Sequence, residues 1–279
     1  MPFTAVVRKD FADSIRSFVL ASTTLLFVAF AGFQAAIKWI PRPYRDSPID
    51  PATLALLNSM RQPAVLLIPL IGLLVAYDTV AGERESGSLR LLLGLPNARG
   101  EVLLGKFVGR TAVVAVGVLA GYAVVAAIAL ATYESFAVGV FVGYAVLTVV
   151  YGGVYVAIAT GASCAMSSRL DALSVAGGLY ALFIIGWDIG LYLIQGVFYG
   201  GEPPAGGFPD WFNFLGMLNP STAFMKASRA AIPAYRDLTF YPSQGSAYVQ
   251  DWVGIPILVA WIVVPLALGY WRFARADVE

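Results

Sequence analysis

Residues 18–38 read FVLASTTLLFVAFAGFQAAIK, and no charge interrupts them before the closing Lys38. An α-helix rises 1.5 Å per residue, so about twenty such residues cross a hydrocarbon core of about 30 Å. Backbone groups in hydrocarbon must be satisfied within the segment, which makes helix the expected form. The alternation of apolar and polar residues that a membrane β-barrel needs is not present.

Outward from this run the same pattern recurs at about 62–77, 108–131, 137–166, 172–198 and 252–271. The second of these, QPAVLLIPLIGLLVAY, is short unless it starts before Pro63 or continues past Asp78. The uncharged stretch from Ser135 to Ser168 is too long for one straight span, and Gly152-Gly153 offers a place to bend. Composition agrees. The 279 residues are 59% hydrophobic and 13% charged, where soluble domains are about half apolar and about a quarter charged. The expected fold is an all-α integral membrane protein with six transmembrane helices, forming one domain over 1–279.

Several functions are excluded by what is missing. The net charge is +1 and no basic face stands out, so nucleic acid is not an expected partner. There is no histidine, hence no serine–histidine dyad and no H-E-x-x-H zinc site. A single cysteine, Cys164, permits no intrachain disulfide. No G-x-x-x-x-G-K-[ST] phosphate loop occurs, so the chain is not expected to hydrolyse ATP or to be an enzyme in its own right.

Basic residues set the orientation. With the N-terminus inside, the inner segments hold Arg8, Lys9, Arg16, Arg84, Arg90, Arg99, Lys106, Arg110, Arg169, Arg272 and Arg275. The outer ones hold Lys38, Arg42, Arg45, Arg61, Lys226, Arg229 and Arg236. Both termini are therefore expected in the cytoplasm of a multi-pass protein of the cell membrane. The first apolar run is too long for a cleavable signal and should stay as an anchor. Ahead of it, Phe3, Val7, Phe11, Ile15 and Phe18 form an apolar stripe opposite Arg8, Lys9, Asp13 and Arg16. Residues 1–17 thus read as an amphipathic helix in the interface, its apolar face toward lipid.

Charge gathers in one place, YDTVAGERESGSLRLLLGLPNARGEVLLGKFVGR at 77–110. Glu83 and Glu85 are two apart and on a helix do not face each other, so they make no catalytic carboxylate pair. After the Ala81-Gly82 joint come Glu83-Arg84-Glu85, then Ser86-Gly87-Ser88, then a short apolar helix over LRLLLGL that Pro96 stops. Asn97 is placed to cap the next helix, with Glu101 in its first turn. Spacing alone leaves two readings, a protein-docking surface or a solvated loop whose charges fix topology.

This stretch resembles the cytoplasmic loop of ABC-2 type transporter permeases, in which GERE-x-G-[ST]-L-x-x-LL-x-x-P-x-x-R precedes GK and the third span. The match lies at Gly82-Glu83-Arg84-Glu85, Gly87-Ser88-Leu89, Leu92-Leu93, Pro96, Arg99 and Gly105-Lys106. SCAMSSRLDA after the fourth span and LNPSTAF at 218–224 agree with it, and the similarity extends to the subgroup of nitrous-oxide-reductase maturation permeases and archaeal relatives. The resemblance implies a permease subunit, in most relatives an exporter, driven by a separate ATPase that holds ATP and Mg while this chain binds no cofactor. It implies that 78–106 is the coupling loop, with Asp78, Glu83, Arg84, Glu85, Ser86, Gly87, Ser88, Leu89 and Arg90 contacting the ATPase. It also implies a second permease subunit, of the same or another chain.

Two polar residues lie inside spans. Asp188, in IIGWDIGLY, is either a group lining a translocation path or an acid solvated near the outer interface. Gln34 could line the same path or hydrogen-bond between helices. An ion-coupled secondary transporter using Asp188 and a non-transporting membrane anchor or assembly factor are the alternative functions. Glycines four apart at 105/109, 117/121, 139/143 and 186/190 permit close helix contacts. The expected external segment, 199–251, carries interface aromatics and Asn219-Pro220-Ser221, which can open a short helix toward Ile232. It reads as a gate or re-entrant helix, or as an ordered external cap.

Overall fold

A computed structural model describes residues 3–15, 18–37, 50–89, 98–204, 206–233, 235 and 246–275, and among these every regular element is helical. In chain order they are α1 (Phe3–Ser14), α2 (Phe18–Ile37), α3 (Pro51–Ala76), α4 (Ala81–Glu85), α5 (Arg99–Thr132) and α6 (Val138–Ser163). There follow α7 (Arg169–Ala181), a π-helical turn (Leu182–Gly186), α8 (Trp187–Tyr199), α9 (Asp210–Met217), α10 (Pro220–Ala231) and α11 (Gly254–Arg275). Among the described residues five helices are long and apolar enough to cross a membrane: α3 continued into α4, α5, α6, α7 with α8, and α11 with the turn before it. The apolar part of α2, Ala21–Ile37, is shorter.

Span two starts well ahead of Gln62 because its cap lies at Asp50. The Asp50 carboxylate accepts the Thr53 N–H at 2.9 Å, and Pro51 occupies the first turn, where its missing N–H costs nothing. Pro63 and Pro69 then fall inside the helix. Arg61, grouped above with the outer segments, therefore lies within α3.

The bundle is organised around α6, which packs on α3, α5 and α11. Its buried side carries Tyr144, Thr148, Tyr151 and Tyr155. Glycines set the closest crossings. A Cβ on Gly161 would stand 2.3 Å from the Pro265 carbonyl oxygen, so α6 and α11 touch backbone to backbone there. Gly117 and Gly121 admit α2 through Thr24 and Phe27, and Gly105 and Gly109 admit α1. Among the described residues nothing lies within 4 Å of a Cβ placed on Gly139, Gly143 or Gly190.

α9 and α10 form a hairpin that enters the bundle from the end opposite α1. Its tip is pinned by the Asn219 amide, which donates to the Phe183 carbonyl at 2.8 Å, and by Trp261, which donates to the Leu218 carbonyl at 2.8 Å. The Ser221 hydroxyl lies 2.7 Å from that of Tyr151, a residue halfway along α6. The tip thus reaches the middle of the bundle. The buried Lys226 and Arg229 ammonium and guanidinium groups tie α10 to Asp251, ahead of α11, at 3.2 and 3.3 Å.

Candidate coupling surface at the charged end

At the end of α3 the chain turns out of the bundle into α4. The turn is held by the Ser163 hydroxyl, which accepts the N–H groups of Val80 and Ala81 at 3.1 and 3.0 Å. The short α4 then lies between two helix ends. Arg84 donates to the carbonyls of Cys164 and Met166, at the C-terminus of α6. Glu85 accepts the Arg169 N–H at 2.6 Å, at the N-terminus of α7. The signs suit the helix dipoles, a cation at a negative end and an anion at a positive one. Gly82 makes room for this, since a Cβ there would meet Arg169 Nε at 2.9 Å. Gly87, at φ +75°, adopts a left-handed conformation that favours glycine and turns the chain after α4.

A buried charge network joins α4 to α1 and α5. Lys106, with a side chain only 3% exposed, pairs with Glu83 at 2.8 Å and Asp10 at 3.8 Å. Arg110 pairs with Asp10 at 3.0 Å and Asp78 at 3.4 Å, and also donates to the Val75 carbonyl. Lys9 reaches Glu83 at 3.8 Å. Burial pushes the Asp10 carboxyl above its ordinary pKa, against the opposing pull of Arg110 and Lys106. At the far side of the loop Arg99 donates to the Phe273 and Ala274 carbonyls at 2.7 and 3.1 Å, closing the end of α11. α5 begins at Arg99, where Glu101 accepts the Ala98 N–H at 3.4 Å.

The expected contact residues therefore separate. Asp78, Glu83, Arg84 and Glu85 all have partners within the chain, and Leu89 is buried against Val80, Leu103, Cys164 and Phe273. Glu85 and Ser86 are exposed, while Gly87 and Ser88 are half-buried. Arg90 and the rest of the short helix expected over LRLLLGL, beyond Leu89, lie outside the described residues. Gln34 donates to the Ser59 carbonyl at 3.2 Å and lines a cavity of about 600 Å³ near Asp50 and Glu134. Asp188 is exposed on α8 and does not line that cavity. The structure does not bring Gln34 and Asp188 together.

Sequence reading missed Asp10 and Ser163. The stripe on α1 suggested that only its apolar side meets another surface. In fact Val6, Asp10 and Ser14 form the buried side, facing α5. A signal existed in Gly105-Lys106 and Gly109-Arg110, where a glycine that admits a neighbouring backbone is followed each time by a cation that needs an acid.

These elements define an all-helical, multi-pass membrane protein with a clamped helical loop at one end. The chain belongs to the ABC-2 family transporter proteins, whose family model matches residues 4–278. It is 31% identical to the "Probable ABC transporter permease protein NosY" of Stutzerimonas stutzeri, with 97% of each chain covered. It is 30% identical to the protein of the same name in Pseudomonas aeruginosa, with 98% of each covered.

Proposed function

We propose that this chain is the permease subunit of an ATP-driven exporter, and that α4 with its following turn is where a separate ATPase docks. The observation that carries the reading is the placement of α4. A surface of Glu85 and Ser86 is held rigidly to the ends of α6 and α7 and, through Glu83, to α1 and α5. A push on that surface moves several helices at once, which is what coupling requires. The buried network acts as a brace behind the docking face, and the ATPase meets the side chains left outside it.

In this reading α2 supplies a sixth span, both termini are cytoplasmic, and ATP and Mg are bound by the partner. Two copies of the permease, or this chain and a related one, complete the transport unit. The test is affinity purification of the full chain from its host membrane, wild type beside Ser86→Trp. The wild type is expected to retain an ATP-hydrolysing subunit that the variant loses while melting at the same temperature. A wild-type preparation with no ATPase overturns the reading.

A further inference from the structure

The π turn divides the fourth of the five long apolar helices into α7 and α8, and this helix is the least buried of the five. Only 6% of its apolar window is buried, against 33–67% for the others. It is fixed to α3 by the Tyr180 hydroxyl, which donates to the Leu66 carbonyl at 3.2 Å. Beyond that contact, toward the end away from α1, α3 presents Asn58, Arg61 and Gln62, spaced to lie on one face, and α8 presents Asp188. By helical rise Arg61 stands about 7 Å past Leu66 and Asp188 about 12 Å past Tyr180, so the two lie at similar height. Asn58 and Arg61 are half-buried, and Gln62 and Asp188 are exposed. None of the four has a hydrogen bond or ion pair among the described residues. The Tyr144 hydroxyl on α6 is buried and has no hydrogen-bond partner among the described residues.

Hydrocarbon cannot cover such a face. An arginine or aspartate at a helix centre costs about 2.5–3.5 kcal/mol on insertion scales, and unsatisfied amides add to that. Water has to reach these groups. Arg61 is the strongest donor in the set, a planar fork of N–H groups suited to an oxyanion, with two amides beside it. We propose that Asn58, Arg61 and Gln62 form an anion-recognising site on the wall of an aqueous cargo route between α3 and α8, and that the cargo carries an anionic oxygen group. Asp188 balances the charge of the empty site. The proposal rests on the permease reading above and names the chemical class of what is carried.

The test uses the full chain in nanodiscs, with cysteine placed at Gln62 or Asp188 in a Cys164→Ala background. Val259→Cys, on the exposed face of α11, is the lipid-facing control. The probes are an anionic sulfonatoethyl and a cationic trimethylammonium-ethyl methanethiosulfonate. Both test positions should react at least tenfold faster than the control. At position 62 the anionic reagent should be favoured over the cationic one on the order of tenfold, the combined attraction and repulsion from one charge about 12 Å away at an effective dielectric of about 40. The preference should vanish in Arg61→Gln and survive in Arg61→Lys. Reaction as slow as the control removes the aqueous route. Fast reaction with a preference that Arg61→Gln leaves intact removes the anion site. A preference that disappears when phosphatidylglycerol replaces phosphatidylcholine assigns Arg61 to lipid headgroups instead of cargo. No ATPase takes part in the labelling, so failure here stays separate from failure of the docking experiment.

Discussion

Lys106 sits between two carboxylates, Glu83 at 2.8 Å and Asp10 at 3.8 Å, almost shut off from solvent. Such an arrangement stabilises little compared with an apolar replacement of the whole set, but losing one partner strands the others. Lys106→Met is therefore expected to cost about 3–5 kcal/mol, read as a large drop in melting temperature in detergent. Adding Glu83→Gln and Asp10→Asn should recover much of that loss, and a strictly additive triple variant would contradict the network. Asp10 also gives a pH signature. Its pKa is raised above 3.8 in the folded chain, chiefly by burial. A raised group contributes stability below its unfolded pKa and loses it as pH rises through the folded value. The stability advantage of wild type over Asp10→Asn should thus shrink between acid and neutral pH. Asp50 has the opposite sign. Burial pushes it up, but hydrogen bonds from Ser135 and Thr53 outweigh that and hold it low. The stability it contributes to the start of α3 falls as pH drops through its lowered pKa, and melting of Asp50→Asn against wild type from pH 7 downward measures it.

At the scale of elements, the glycines sort into those that bring helices together and those that do not. A Cβ on Gly161 would stand 2.3 Å from the Pro265 carbonyl, and one on Gly254 would stand 2.4 Å from the Ala223 carbonyl. The obstacles are backbone and cannot swing aside. Gly161→Ala should destabilise by about 1–3 kcal/mol, the usual cost of overpacking. Gly139→Ala, which meets nothing within 4 Å, should melt with the wild type or slightly above it. Equal melting of the two variants would show that the α6–α11 crossing is looser than described. The same contrast shows how much was legible in advance. Long apolar runs betray helices that cross a membrane, because length and hydropathy are properties of the segment alone. Four glycine pairs looked equivalent, yet among the described residues only 105/109 and 117/121 receive a neighbouring helix, since the partner helix is not written beside them. The early start of α3 was hidden because its cap, Asp50, precedes a stretch broken by Arg61 and Pro63. The Asn219-Pro220-Ser221 cap was readable, because an Asx cap before proline is local. That its tip lands beside Tyr151 was not, because that contact crosses some seventy positions of sequence.

For the whole molecule, the charged loop that follows α3 matters less as a charged patch than as a junction. Arg84 closes α6, Glu85 opens α7, Arg99 closes α11, and Glu83 reaches α1 through Lys106 and Lys9. The chain continues from α7 through the π turn into α8, which Trp187 fastens to the α9–α10 hairpin by donating to the Leu215 carbonyl at 3.2 Å. Contacts therefore run without a break from α4 to the hairpin tip at mid-bundle, by way of the π turn that separates α7 from α8. Docking and transmission can then be separated by mutation. Arg84 is turned inward, so Arg84→Ala should leave ATPase binding within about twofold of wild type. It removes two hydrogen bonds to the end of α6, each worth about 1.5–3 kcal/mol for a charged donor. The link from α4 to the bundle should slacken. A fluorophore on Tyr192→Cys, on the exposed side of α8, should report a nucleotide-dependent change in the wild-type complex. That change should be lost in Arg84→Ala while ATP hydrolysis continues. If the variant instead loses the ATPase altogether, Arg84 belongs to the docking face and the division between brace and surface drawn from its inward contacts is wrong.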